Sequence, residues 1–267
     1  MQDDPTRSSV SPNGPNSASQ HLSASTAARS AVGGGDTGAA GRSKCLKLLH
    51  PAEVARTLAD DPRVVVPVGT CEAYDTALPL GSATIVVERL ARDLSAEFGV
   101  LLAPTMEYGV NSDTPAYPGR VALRKKTLHR TLNDMLASWE GHGVSEFILL
   151  TAHGYDPHQE AMGTVSTVSA RVRVVDIFAV NLSDLVGGPM YTGRRGALFL
   201  ALLRYLAPDL VDHADTPGGA ESADDVAATS AVPHAPVTYD AAMGRALYER
   251  IRSRISERIF LAPSPVE

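Results

Sequence analysis

The sequence has few cysteines, few aromatic residues and no excess of basic charge. Its 267 residues include two cysteines and one tryptophan, and the formal net charge is −6. Two cysteines cannot staple a fold of this size, so its stability must come from an apolar core. The negative charge argues against a general nucleic-acid binder, because that function needs a basic surface to displace counterions. No apolar run approaches the roughly 18 residues of a membrane span. We therefore expect no nucleic-acid or membrane partner, and a cytoplasmic protein.

Large apolar residues are almost missing from the first 43 residues, which are mainly Ser, Ala, Gly, Asn, Pro and Thr. Such a segment cannot bury enough apolar surface to offset the entropy of ordering the chain. No basic stretch followed by an apolar stretch is present there, so we expect no secretory signal. We predict a disordered tail over residues 1–43 and a single domain over residues 44–267.

Apolar residues recur along the domain with two alternating spacings. Helical spacing predicts helices over residues 51–60, 82–98, 127–139, 157–169, 196–206 and 241–259. Short continuous apolar runs predict buried strands over residues 64–69, 100–103, 146–151 and 171–180. Strands that alternate with helices imply a mostly parallel sheet covered on both faces. We therefore expect an α/β fold that binds ligands at the carboxyl ends of its strands, and a long surface loop over residues 216–236.

Two loops at these expected strand ends contain residues that could carry chemistry. The loop after the first predicted strand contains Cys71, Glu72 and Tyr74, and the loop after the third contains His153, Tyr155, Asp156 and His158. Carboxylate and imidazole groups brought together there could bind a divalent metal or act as an acid–base pair.

Spacing alone leaves other interpretations of these loops open. Asp156 precedes a proline, which favours a helix N-cap. His158, at the start of the same helix, is expected to be exposed. Cys71 could be a nucleophile if its thiolate were stabilised, although a lone cysteine is usually inert.

Several short motifs resemble, in their order and spacing, those of the creatininase family. They include Val-Pro-Val-Gly-Thr-Cys-Glu at residues 66–72, Tyr-Gly-Val at 108–110, Tyr-Pro-Gly at 117–119, Thr-Ala-His-Gly at 151–154 and Pro-Asp-Leu-Val at 208–211. The resemblance covers about residues 50–212. It implies a three-layer α/β/α sandwich with a mostly parallel central sheet, assembled as a homo-oligomer. It also implies a metal-dependent hydrolase that acts on amide-type C–N bonds of small or cyclic substrates.

The resemblance further implies two divalent ions held by carboxylates and histidines of these loops. Glu72 and His153 match ligands of the family. Tyr74 stands where the family has a ligand histidine, and Ala83 stands where it has the aspartate that bridges the two ions. The sequence therefore predicts a depleted metal site, because a phenol is protonated near neutral pH and alanine offers no donor.

The remaining donors are too few for two metal ions. A catalytic zinc normally has three protein ligands, and Asp156 or His158 could be the third beside Glu72 and His153. One alignment places Ala197 at a further ligand glutamate, and another keeps that carboxylate as Glu221. The sequence leaves open a site for one divalent ion, Zn or Mn, and a metal-free site.

Without a metal, the same residues suggest acid–base chemistry. Glu72 could be a general base if burial raised its pKa, with His153 as its acid partner and Tyr74 as a proton donor or oxyanion-stabilising phenol. Arg120 could hold a substrate carboxylate by bidentate pairing. Cys71 and Tyr155 are further candidate substrate contacts.

We expect a creatininase-like enzyme that acts on an amide or cyclic amide C–N bond of a small nitrogenous metabolite, by hydrolysis. Two alternatives remain at this point. One is a catalytically inactive binding or scaffold protein, and the other is a non-hydrolytic biosynthetic enzyme that uses Glu72 and His153 as acid and base.

Overall fold

The computed structural model describes residues 41–112, 118–188, 195–211 and 238–262. The chain divides into a unit over Met1–Gly38 and a unit over Ala39–Glu267, and all described residues lie in the second. The predicted tail, up to residue 40, and the predicted loop over 216–236 lie outside the described residues, so both stay predictions. In the described part of the chain, no helix is long and apolar enough to cross a membrane.

The described residues form a sheet of five parallel strands. The strands are β1 (Lys44–Cys45), β2 (Arg63–Pro67), β3 (Leu101–Leu102), β4 (Glu146–Thr151) and β5 (Arg171–Asp176). Their order across the sheet is β1-β3-β2-β4-β5. β2 and β4 pair from Arg63 with Glu146 to Pro67 with Leu150. The parallel pairing of every strand confirms the fold class expected from the alternation of strands and helices.

Helices connect the strands and cover the sheet. They are α1 (Pro51–Asp60), α2 (Ser82–Phe98), α3 (Lys125–Glu140), α4 (Asp156–Gly163), α5 (Ser183–Val186), α6 (Arg195–Leu206) and α7 (Ala241–Ile255). Proline in the first turn starts α1 and α4, where its missing N–H costs nothing. Gly99 ends α2 in a left-handed conformation with φ of 71°.

Neighbouring residues of each central strand pack on opposite faces of the sheet. Val65 and Ile148 belong to the core that α2, α6 and α7 cover. Val64 and Leu149 belong to the core that α1, α3 and α4 cover. The side-chain period of two in a strand produces this alternation. The sheet therefore lies between two helical layers, as the predicted three-layer sandwich requires.

Two predicted elements end earlier than the apolar pattern indicated. The strand predicted over 171–180 ends at Asp176, whose side chain accepts the N–H of Phe178 at 3.0 Å and caps a short 3₁₀ turn. The helix predicted over 157–169 ends at Gly163. The following loop is held instead by Glu140, which accepts backbone N–H groups of residues 168–170. Strand β1 was missed because two residues show no periodicity.

The sheet order places a topological switch point between β2 and β4. From β2 the chain crosses to β3 on one side, and from β4 it crosses to β5 on the other side. Open α/β sheets bind ligands in the crevice beyond the carboxyl ends of such strands. The loop after β2, residues 68–81, and the loop after β4, residues 152–155, therefore flank the expected site.

Candidate active site

The two loops at the switch point bring Glu72 and His153 into direct contact. Oε1 of Glu72 lies 2.7 Å from Nδ1 of His153. Both residues are buried, with 8% and 6% of their surface exposed. The backbone N–H of Glu72 donates to the carbonyl of Leu80 at 3.0 Å, which closes the loop after β2 on itself. Two of the residues singled out from the sequence thus meet at one buried point.

Tyr74 completes a small hydrogen-bond network with this pair. Its hydroxyl lies 3.0 Å from Nδ1 of His153 and 3.2 Å from Oγ1 of Thr70. Thr70 in turn donates to Oε1 of Glu72 at 3.4 Å. The ring of Tyr74 packs against Phe199 of α6, with ring centroids 4.3 Å apart. The three residues predicted to be catalytic therefore share one network, and α6 supports it from the side.

The carbonyl of Val110 fixes the orientation of the His153 ring. Nε2 of His153 lies 3.1 Å from this oxygen. A carbonyl only accepts, so Nε2 carries a hydrogen and Nδ1 is left to face Glu72 and Tyr74. A separation of 2.7 Å between Oε1 and Nδ1 requires a proton between these atoms, because two bare lone pairs would repel each other. The pair therefore holds one shared proton.

Burial and hydrogen bonding shift the pKa of the Glu72 carboxyl in opposite directions. Burial raises the pKa of the Glu72 carboxyl, but the hydrogen bond and the charge of His153, with the hydroxyls of Tyr74 and Thr70, outweigh burial and lower this pKa below its ordinary value. The condition set from the sequence, a pKa raised towards neutrality, is therefore not met. Burial and the Glu72 charge raise the pKa of Tyr74 well above its ordinary value. At neutral pH the site holds a carboxylate and a protonated phenol.

Comparison with known proteins identifies the family of this chain. A family model described as creatininase, creatinine amidohydrolase, matches residues 47–259. The chain belongs to the creatininase family. It is 24% identical to creatinine amidohydrolase of Pseudomonas putida over 184 residues, which are 59% of this chain and 69% of that protein. It is 26% identical to the mycofactocin precursor peptide peptidase of Mycolicibacterium smegmatis over 120 residues, 43% of this chain and 45% of the peptidase.

Solved creatininase structures share the fold. A manganese creatininase superposes with a TM-score of 0.64 at 18% identity, covering 82% of this chain and all of the creatininase. At this identity the likeness is one of fold, and it confirms the three-layer architecture. The creatininase relatives are therefore distant, and the site of this chain has to be judged from its own residues.

The described residues of this creatininase-family chain do not fit a bound metal ion. Oε1 of Glu72 contacts Nδ1 of His153, and Nε2 of His153 is hydrogen-bonded to the carbonyl of Val110, so neither ring nitrogen is free to bind a metal ion. Tyr74 stays protonated and is a poor ligand. Within residues 41–112, 118–188, 195–211 and 238–262, no three His, Cys, Asp or Glu side chains come together in a way that could hold a metal ion. A catalytic zinc needs about three protein ligands.

The positions that the family resemblance assigns to two further ligands hold small side chains in this structure. Ala83 is fully buried in α2, and Ala197 is half-buried in the first turn of α6. Neither offers a donor atom. The alternative carboxylate, Glu221, lies outside the described residues, so its role stays a prediction.

The first turn of α4 differs from the sequence-based predictions. The N-cap is Tyr155. Asp156, predicted as the N-cap, is instead the first residue of the helix, and its side chain is exposed. The prediction that Asp156 is a third metal ligand therefore gains no support from its position. His158, expected to be exposed, is completely buried. Helical position alone could not reveal this burial, because it depends on the chain segment around Gly109 that packs on the ring.

The remaining candidate substrate contacts are Cys71, Arg120 and Tyr155. Cys71 pairs with Val121, whose N–H donates to the Cys71 carbonyl at 3.2 Å, and this bridge brings Arg120 beside the loop after β2. Arg120 and Cys71 are both half-buried. The ring of Tyr155 lies 5.9 Å from that of His153. The roles of these three residues as substrate contacts stay predictions.

Sequence reasoning missed Arg195, which supports the site from α6. Its Nη1 donates to the carbonyl of Ala152 at 3.0 Å, and its Nη2 lies 3.2 Å from Oδ2 of Asp176. The guanidinium is close enough to Gly154 that a Cβ there would meet Nη2 at 2.0 Å. Arg195 thus ties together the ends of β4 and β5 next to His153. Its position in a short arginine pair gave no signal, because the contacts are distant in sequence.

Proposed function

We propose that this chain hydrolyses an amide or cyclic amide C–N bond of a small nitrogenous compound. The observation that carries the proposal is the buried contact between Glu72 and His153 at the switch point. Membership of the creatininase family supports the reaction class. Both sequence relatives are named for the cleavage of C–N bonds, one in creatinine and one in a peptide.

The geometry supports a mechanism in which Glu72 is the general base for the attacking water. Because Nε2 of His153 is committed to Val110, this histidine exchanges protons only through Nδ1. Glu72 accepts a proton from water as the water oxygen adds to the carbonyl carbon. The C–N bond then breaks, and the same proton passes from Glu72 to the leaving nitrogen. The products are a carboxylic acid and an amine, and the proton of the acid then passes to the amine to give a carboxylate and an ammonium group, so atoms and charge balance.

His153 and Tyr74 stabilise charge in this mechanism. The shared proton at Nδ1 places positive charge beside the Glu72 carboxylate. The protonated hydroxyl of Tyr74 donates a hydrogen bond to the oxyanion that forms on the substrate. A carboxylate of low pKa is a weak base, so its contribution comes from its position at the reacting water more than from its basicity. Arg120 would hold an acidic group of the substrate, if the substrate has one.

The missing donors favour a second candidate function. Tyr74 and Ala83 occupy positions at which the family resemblance places a histidine and an aspartate ligand. A creatininase-fold protein with such a site could bind a small ligand without converting it. A non-hydrolytic reaction that uses the same acid–base pair, assembly as a homo-oligomer and a cytoplasmic location also stay predictions.

Turnover by the purified full chain tests the proposal. The probes are creatinine, other five-membered lactams, linear amides and short peptides, with the metal content measured by elemental analysis. Glu72→Gln keeps the size of the side chain and removes its base. The matched control is Glu249→Gln, because Glu249 lies in an exposed pair with Arg245 on α7.

The proposal expects turnover that falls by about 10² to 10⁴ in Glu72→Gln and is unchanged in Glu249→Gln. It also expects activity to survive dialysis against a chelator. Full activity of a folded Glu72→Gln variant would overturn it. Saturable binding of a probe without any turnover would support the scaffold function instead.

A further inference from the structure

We propose that His158 is a positioning residue that fixes the orientation of the His153 ring, with its Nε2–H on the Val110 carbonyl, through two separate contacts, one at Val110 and one at Thr151. The proposal rests on the proposed function only in taking His153 as the proton-holding partner of Glu72. His158 has no role in the mechanism above, and the sequence indicated only that it is one of several loop residues that could carry chemistry. Its two ring nitrogens nevertheless bond to Val110 and Thr151, the two residues that hydrogen-bond to His153.

The first contact runs through the backbone of Val110. Nδ1 of His158 accepts the N–H of Val110 at 3.2 Å. The carbonyl of the same residue accepts Nε2–H of His153 at 3.1 Å. His158 therefore holds in place the acceptor that keeps the hydrogen on Nε2 of His153. With Nε2 protonated, the lone pair or the shared proton of His153 is directed at Glu72.

The second contact runs through the hydroxyl of Thr151. Because Nδ1 of His158 is an acceptor, the neutral ring carries its hydrogen on Nε2, and this hydrogen points at Oγ1 of Thr151, 3.1 Å away. The same oxygen accepts the backbone N–H of His153 at 3.2 Å. One ring thus supports both the side chain and the backbone of His153.

The surroundings keep His158 neutral and immobile. The residue is completely buried, and its ring centroid lies 5.0 Å from that of His153. Burial, with a smaller contribution from the charge of His153, lowers the pKa of His158 to about 3. Gly109 lets the chain pack on the ring, because a Cβ there would lie 2.7 Å from Cε1 of His158. His158 therefore keeps one donor and one acceptor near neutral pH.

Two substitutions separate the two contacts. In His158→Asn, the amide oxygen falls near the position of Nδ1 and can still accept the N–H of Val110. In His158→Gln, the amide nitrogen falls near the position of Nε2 and can still donate to Thr151. Both variants bury an amide of similar polarity, so a difference between them reports the contact that was lost and not a general cost of burial.

The readout is the ring N–H of His153, observed by ¹⁵N NMR of the full chain at one fixed pH. We expect a slowly exchanging Nε2–H signal in the wild type and somewhat faster exchange in His158→Asn, which keeps the contact at Val110 and loses the one at Thr151. In His158→Gln this proton should exchange at least tenfold faster, and kcat should fall by about 10²-fold while KM changes little. His129→Asn is the control, because His129 contacts Asn133 and Thr164 away from the site.

Equal exchange rates in the wild type, His158→Asn and His158→Gln would overturn the proposal, even if Glu72→Gln abolishes turnover. Conversely, faster exchange in His158→Gln would support it even if no substrate is turned over. If His158→Gln does not fold, Thr151→Val removes the hydroxyl with little change of shape. Faster exchange of the His153 ring proton in that variant supports the proposal, and unchanged exchange overturns it.

Discussion

Oε1 of Glu72 lies 2.7 Å from Nδ1 of His153, with both side chains about nine-tenths buried. Removing either partner leaves a buried polar group without its charge-assisted hydrogen bond. We expect Glu72→Gln and His153→Gln each to lower the free energy of unfolding by about 1–3 kcal/mol. The double variant should lose at least about 1 kcal/mol less than the sum, as expected for residues in contact.

Urea denaturation at pH 7 measures this coupling. The exposed pair of Arg245 and Glu249 on α7 provides the comparison, and its coupling should be much smaller because solvent screens both charges. Additive losses at Glu72 and His153 would show that the shared proton contributes nothing to stability.

The hydroxyl of Tyr74 can be removed without disturbing its ring. In Tyr74→Phe the contact with Phe199 stays, and the hydrogen bonds to His153 and Thr70 are lost. We expect a stability loss of about 0.5–1.5 kcal/mol. We also expect kcat to fall by about 10²-fold with KM nearly unchanged, because the phenol acts on the oxyanion.

Steady-state kinetics with the substrate found in the turnover screen separate the two parameters. A rise in KM with an unchanged kcat would place Tyr74 in ground-state binding. Tyr205→Phe is a suitable control, since this tyrosine of α6 lies partly exposed beside Tyr248.

Arg195 should stabilise the ends of β4 and β5. Arg195→Met keeps much of the length of the side chain but removes the hydrogen bond to the Ala152 carbonyl and the ion pair with Asp176. The expected cost is about 1.5–3 kcal/mol, because the lost bonds involve a charge. Arg254→Met removes an exposed pair with Glu257, which solvent screens, and should cost much less. Equal midpoints of thermal unfolding for the two variants would contradict this role.

The pH dependence of stability should contain a contribution from Glu140. The backbone N–H groups of residues 168–170 lower the pKa of this carboxyl to about 2 in the folded chain. A depressed pKa means that the unfolded chain takes up the proton first as the pH falls. The stabilisation is therefore complete above the unfolded pKa of about 4.3, and it is lost between there and about pH 2.

The variant Glu140→Gln isolates this contribution. We expect it to be less stable than the wild type at pH 7, and the difference should shrink as the pH falls from about 4.3 towards 2. Denaturation curves across that range measure both chains. A difference that stays constant with pH would mean that the hydrogen bonds to the loop do not depend on the charge of Glu140.

Local patterns predicted the architecture well. The strand over 146–151 and the helix over 82–98 are observed with the predicted bounds, because each is a long apolar pattern bounded by polar residues or glycine. The pairing of Glu72 with His153 followed from the rule that parallel strands end at one edge. The motif order also predicted the family correctly.

Long-range contacts could not be predicted in the same way. The burial of His158 depends on Gly109, 49 positions earlier, and the role of Arg195 depends on a carbonyl 43 positions away. The lowered pKa of Glu72 depends on the distance to His153, which no spacing along the chain encodes. Sequence spacing can predict that a residue lies at a strand end, but it cannot predict which neighbouring group forms a hydrogen bond with that residue.

The absence of a side chain at Gly109 lets the segment after β3 pack directly on the loop after β2 and on the first turn of α4. A Cβ at this position would meet the carbonyl oxygen of Gly69, the methyl group of Thr70 and the ring of His158, all within 2.8 Å. These groups belong to segments that follow β2 and β4, while Gly109 follows β3. Any side chain at position 109 would have to push these segments apart, so the close packing of the site depends on this glycine.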